Sequence, residues 1–140
     1  WIRAGLLEKW SYPDGMTLAV AMLEARPGGP YRFAHTGQEG RFICTGHFEE
    51  FLPNKRLVML EQVSKEGGDI IHPDLRCKVE FGTLGAGTRI DVMQSGFDDA
   101  ASAQACEEGW NQCLGRLAKL LEGDVRASRQ DTTRDDFQLL

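Results

Sequence analysis

The side chains able to do chemistry in this chain are few and scattered. Its histidines are His35, His47 and His72, and its cysteines are Cys44, Cys77, Cys106 and Cys113. No C-x-x-C pair or histidine spacing marks a zinc site, so no metal and no other cofactor is expected. Cys44 and Cys77 lie mid-strand on an apolar face without a cationic neighbour, which raises a thiol pKa instead of activating it. No serine stands in a nucleophile elbow. The pairs Gly28-Gly29 and Gly67-Gly68 read as turns, not as phosphate loops. Glu49 and Glu50 are adjacent in a strand, which sends them to opposite faces and denies them the role of an acid–base dyad. What remains is a face of aromatic and sulfur side chains, with polar punctuation from His35, Glu61 and Gln94. A packed core needs no His or Gln, whereas an apolar pocket uses a few such groups to orient a ligand. Left unpaired inside, each costs roughly 1–3 kcal/mol, so partners, water or a ligand must satisfy it.

Those residues need elements to hold them. "EEGWNQCLGRLAKLLEG" sets Trp110, Leu114, Leu117 and Leu121 four, three and four apart, a helical face widened by Cys113 and Leu120. Asp98 or Asp99 offers an N-cap, and Gly123 a stop after Leu121. At the other end "WIRAGLLEKW" reads as a short helix with Ile2, Leu6 and Trp10 stacked, ended by "SYPDG". In "MTLAVAMLEA" the alternation of Leu18, Val20 and Met22 suggests a strand, although the composition would also suit a helix.

Two hairpins follow from alternation about glycine-rich turns. The first turns at Gly37-Gln38-Glu39-Gly40 and sets Tyr31 opposite Gly46, Phe33 opposite Cys44 and His35 opposite Phe42. One face then gathers Tyr31, Phe33, His35, Phe42, Cys44 and Phe48; the other carries Arg32, Thr36, Arg41, Thr45 and His47. The second turns at Leu84-Gly85-Ala86-Gly87 and sets Phe81 opposite Ile90, Val79 opposite Val92 and Cys77 opposite Gln94. Between them Pro53-Asn54-Lys55 is a turn, Leu57–Val63 a central strand apolar on both sides, and "KEGGDIIHPD" a loop that holds His72. Six antiparallel strands with one apolar face need a cover, and only the long helix is large enough.

The chain has 140 residues and a net charge of −5, the size of a single domain. That charge, with scattered basic residues, argues against nucleic acid and against an anionic membrane. No apolar run is long enough to cross a bilayer, and the start carries no signal-peptide pattern. Cys106 and Cys113 are about 10 Å apart along a helix, too far for a disulfide. Free thiols and a cytoplasmic location are expected. The chain opens on Trp1, as expected of a processed or trimmed start.

Several segments, in order, resemble the START-related SRPBCC superfamily, and within it the group named after the activator homologue of the heat-shock-protein-90 ATPase. "LLEKWSYP" is similar to that group's helix ending in Trp before Pro. "LEARPGGPYRF" resembles its strand with a Pro-Gly-Gly turn, and "TGHFEEFLPNKRLVM" its turn before Arg-Leu-Val. "GAGTRIDVMQSGF" resembles its Gly-Thr strand, and "EEGWNQCLGRLAKLLE" its Gly-Trp helix. The resemblance implies an α+β helix-grip fold, a curved antiparallel sheet wrapped around the C-terminal helix. The resemblance runs from about Leu6 to Glu122; one domain is expected over 1–124, with 125–140 as a polar, flexible tail. The group's usual first strand has no counterpart here. Arg89–Met93 is therefore expected to keep an open edge, which the tail, another chain or a second copy forming a homodimer could cover.

The expected function is non-enzymatic binding of a small hydrophobic ligand, a lipid or aromatic metabolite, between sheet and helix. The residues expected to line that site are Tyr31, Phe33, His35, Phe42, Cys44, Phe48, Glu61, Cys77, Val79, Phe81, Ile90, Val92, Gln94, Trp110 and Leu114. The resemblance also implies two alternatives: a co-chaperone-like module acting on a chaperone ATPase, and a cavity enzyme using His35 or Glu61 as general acid or base.

Overall fold

The computed structural model describes residues 1–124 and 137–139. Helix α1 (Ala4–Trp10) leads into six antiparallel strands: β1 (Thr17–Leu23), β2 (Pro30–Gly37), β3 (Gly40–Leu52), β4 (Arg56–Lys65), β5 (Ile70–Leu84) and β6 (Gly87–Ser95). Helix α2 (Ala100–Asp124) follows, and a three-residue strand β7 (Phe137–Leu139) lies parallel to β6. The strands are neighbours in chain order, an open meander, and the arrangement is α+β and helix-grip-like. Residues 125–136 and 140, most of the tail set apart by sequence, lie outside the described residues.

Both hairpin registers hold. Tyr31 faces Gly46, Phe33 faces Cys44 and His35 faces Phe42. Phe81 faces Ile90, Val79 faces Val92 and Cys77 faces Gln94. Alternation fixes them, because a slip of one residue would turn every buried side chain to water. The central strand β4 pairs on both sides, with β3 and β5, as expected.

Bulges account for most departures. In β1 the pairing jumps between Val20 and Met22, so the inward position passes to Leu23 and Met22 faces water. In β3 the jump between Phe48 and Glu50 sends both glutamates outward. Glu49 pairs with Arg76 and Glu50 with Arg56, instead of the two taking opposite faces. The segment read as a loop around His72 is the start of β5. Pro73, which has no N–H to give, sits where the ladder to β4 skips from Glu61 to Val63.

The two helices bury most of the expected residues, with exceptions at Ile2, Leu6 and Leu121. Ile2 precedes α1, Leu6 is exposed, and the helix turns Leu7 and Trp10 inward. On α2, Asp99 is the cap: its Oδ1 accepts the Ser102 N–H at 2.7 Å. The helix runs through Gly123 to Asp124. Cys113 and Leu114 are buried and Trp110, Leu117 and Leu120 half-buried, while Leu121 is 42% exposed. One apolar cluster joins α1, the inner face of the sheet and α2. The edge of β6 expected to stand open is occupied at Ile90–Val92 by β7, whose backbone supplies partners to the strand's unpaired groups.

The two leucines of α2 should therefore separate cleanly. Leu114→Ala should cost about 2–5 kcal/mol in urea unfolding. Leu121→Ala should change stability by no more than about 0.5 kcal/mol.

Candidate ligand site

The site is built on a row across three strands. Tyr31 of β2 pairs with Gly46 of β3, which pairs with Glu61 of β4. Gly46 has no side chain, so the Tyr31 ring lies across it and its hydroxyl donates to Glu61 Oε2 at 2.6 Å. A Cβ at position 46 would stand 2.6 Å from that hydroxyl oxygen and 2.4 Å from the Leu60 carbonyl. The Cys44 thiol, two residues from Gly46 on β3, donates to the same carboxylate oxygen at 3.2 Å. From β6, Gln94 Nε2 donates to Glu61 Oε1 at 3.1 Å. The Gln94 carbonyl oxygen then accepts the Trp110 indole N–H at 2.9 Å. A continuous relay thus runs from α2 to β2, and each donor ends directly or through Gln94 on one carboxylate.

Burial sets the protonation of its members. Tyr31 is held far above the usual phenol range by desolvation first and the Glu61 charge second, so it stays an O–H donor. The thiols of Cys44 and Cys77 are pushed well up by burial, with Glu61 adding to it. Burial likewise raises Cys106, and takes Cys113 up to about 12 against the opposing pull of Arg116. These are neutral thiols, unsuited to attack. His35 is lowered by burial, which outweighs its bond to the Ser11 carbonyl and the pull of Glu61. Its Nε2–H donates to that carbonyl at 3.1 Å.

The expected lining residues mostly come together. Tyr31, Cys44, Phe48, Cys77, Val79, Ile90, Val92 and Leu114 are buried in the common cluster, with Phe33, Phe81 and Trp110 packed against it. Phe33 stacks on Tyr31 with centroids 4.8 Å apart. Phe42, near the hairpin end of β3, is half-buried and lies outside that cluster. Glu61, Gln94 and His35 are half-buried polar groups on the inner wall. Two open grooves run along the strands. One, of about 390 Å³, runs past Gly46, His47, Glu61 and Pro73; another, of about 280 Å³, lies between Arg32, Ile43 and Lys65.

Several contributors escape a reading of the sequence. Trp1 lies over the interior: its ring is 4.8 Å from that of Trp10, 5.8 Å from Phe81, and stacked at 6.0 Å on Trp110. Arg116 ties the turn after α1 to α2 through the Asp14 carboxylate and the Tyr12 carbonyl, with its guanidinium 4.4 Å over the Tyr12 ring. Gln112 accepts the Asp14 N–H at 2.7 Å. No spacing rule links these residues, which are about a hundred positions apart. Gly46 carried a signal, a glycine inside a strand, whose cause is the approach of Tyr31.

Two outcomes test this arrangement. Gly46→Ala should destabilise the fold by about 1–3 kcal/mol in denaturant titration, because a backbone carbonyl and a buried ring must both give way. His35 binds a proton more weakly folded than unfolded. Its contribution is therefore intact above the unfolded pKa near 6.5 and is lost as pH falls from there toward the folded value. Unfolding free energy should decline over that range, and His35→Gln should flatten the decline.

Among the described residues no group of His, Cys, Asp and Glu could hold a metal ion, and no helix is long and apolar enough to cross a membrane. No curated protein matches the chain. Solved structures of similar fold include protein CV1439 from Chromobacterium violaceum, 28% identical with a TM-score of 0.75 over 86% of this chain and 83% of that one. Protein NE0264 from Nitrosomonas europaea is 22% identical, with a TM-score of 0.67 over 87% and 82%. Protein Ms6760 from Mycobacterium smegmatis is 17% identical, with a TM-score of 0.68 over 91% and 80%. The last two speak for the fold alone. Residues 1–122 match the model of one family, so the long helix, the Gly-Trp pair and the meander it covers have a common name: the chain belongs to the Activator of Hsp90 ATPase homolog 1-like protein family.

Proposed function

We propose that the interior between the sheet and α2 binds a small hydrophobic ligand, with Glu61 and Gln94 as its polar anchors. The observation that carries this reading is the relay from Trp110 through Gln94 to Glu61, with Tyr31 and Cys44 on the same carboxylate. Stability alone is a weak reason for it, since a buried polar network replaced by well-packed apolar residues is often no less stable. A ligand that must be oriented is a better reason.

The way in is at Trp1. It belongs to no helix or strand and sits over Phe81 and Trp110 by ring contacts. A ligand ring takes the place of the indole, and the inner wall receives the rest. The ligand-binding residues are then those expected from the sequence, with Phe42 at the margin. The family description suggests a second role, stimulation of a chaperone ATPase. A pull-down with the cell's own chaperone and an ATPase assay separate the two roles.

Binding should be read by thermal shift and by tryptophan fluorescence across a panel of lipids and aromatic metabolites. A ligand at about a hundred times its Kd should stabilise the fold by about 2.7 kcal/mol and change the emission of Trp1 and Trp110. Trp110→Phe, which keeps a ring but frees Gln94, should weaken that binding by about 1 kcal/mol. A panel without a single stabilising member sinks the reading.

A further inference from the structure

We propose that the ligand of this interior carries a positive charge: an amine, amidine or protonated heteroaromatic base on an apolar body. The inference rests on the ligand-binding reading above and names the chemical class it would favour.

Among the described residues Glu61 is the one carboxylate of the relay, where its neighbours are Tyr31, Cys44, Cys77, Gln94 and Trp110. Among the described residues no lysine, arginine or histidine forms an ion pair with it. The sheet's ion pairs among the described residues involve other carboxylates: Arg56 with Glu50, Arg76 with Glu49, Lys78 with Glu80, Arg41 with Glu66 and Arg89 with Asp91. His35, the basic side chain on the same inner wall, has its pKa lowered by burial and gives its Nε2–H to the Ser11 carbonyl. The three groups bound to Glu61 are neutral donors, which suit an ionised acceptor but do not cancel its charge.

The acceptor capacity is also unevenly filled. Oε2 receives both Tyr31 and Cys44, whereas Oε1 receives only Gln94 among the described residues. A carboxylate oxygen has two lone pairs, so Oε1 keeps one position for a donor from outside. The surrounding walls are aromatic, with Phe33 stacked on Tyr31 and Phe48 beside it. Aromatic faces attract cations through their quadrupoles, and a partly buried carboxylate gains more from a cation than from a neutral donor. A carboxylate ligand meets the opposite condition, like charge against like charge with no cation between.

The test uses three ligands of one shape: 2-phenylethylamine, 2-phenylethanol and 3-phenylpropanoate, titrated into the intact protein by calorimetry at neutral pH and low salt. The amine should bind at least tenfold more tightly than the alcohol, and the acid more weakly than either. In Glu61→Gln the amine's advantage should fall to within about threefold. The wild-type series needs no variant, so it decides the matter even if that variant does not fold. Equal binding by all three, or a preference for the acid, overturns the charge assignment and leaves the ligand-binding reading standing. Binding by none of them, nor by longer-chain amines, alcohols and acids, overturns both.

Discussion

The bond from Tyr31 to Glu61 passes over Gly46, and the interior is organised around that crossing. A tyrosine on β2 reaches a carboxylate on β4 only because the residue between them has no side chain. Once it does, Glu61 is fixed at the centre of the inner wall, where Cys44 and Gln94 reach it from either side. Gln94 in turn turns its carbonyl to the indole of Trp110 and so fixes the height of α2 over the sheet. Packing alone would hold the helix against the strands. The relay selects one position among the many that apolar contact permits.

Around this centre the ends are closed by elements distant in sequence. The turn after α1 is held from above by Arg116 and Gln112 and from below by His35. The Glu8 carboxylate accepts the Val20 N–H at 2.9 Å, beside the β1 bulge, so α1 serves a backbone group near the strand's irregularity. On the opposite edge β7 pairs with β6. Both margins of the open sheet are thereby partly covered, a common way to keep an edge from recruiting another chain.

Much of the frame was legible because alternation and turn chemistry are local. The registers of both hairpins follow from where apolar residues sit relative to glycine turns, and a cap at Asp98 or Asp99 follows from the chemistry of a helix start, the structure selecting Asp99. Two of the misreadings share one cause. A bulge shifts the count by one, and alternation beyond it then assigns faces wrongly, as with Met22 and with Glu49 and Glu50. Nor does a proline followed by an aspartate announce that a strand has already begun; β5 tolerates Pro73 because that strand bulges there, Leu75 pairing with Glu61 and His72 with Val63 while Pro73 and Asp74 stand out of the ladder. Leu121 fits the helical spacing but not the contact, since spacing defines a stripe and the partner decides how much of it is covered.

By itself the sequence determined the order of elements, their pairing and the set of apolar residues that had to face inward, because those depend on periods of two and 3.6 and on turns a few residues long. It also placed Glu61, Gln94 and Trp110 on that inner face, without saying that they touch. Tertiary structure decided that they form one relay, that Tyr31 crosses a glycine to join it, that Trp1 stacks on Trp110, and that Arg116 ties α2 to the turn after α1. Hydrogen bonds between residues sixteen to about a hundred positions apart depend on how a bulged, twisted sheet meets its helix. No local pattern carries that distance.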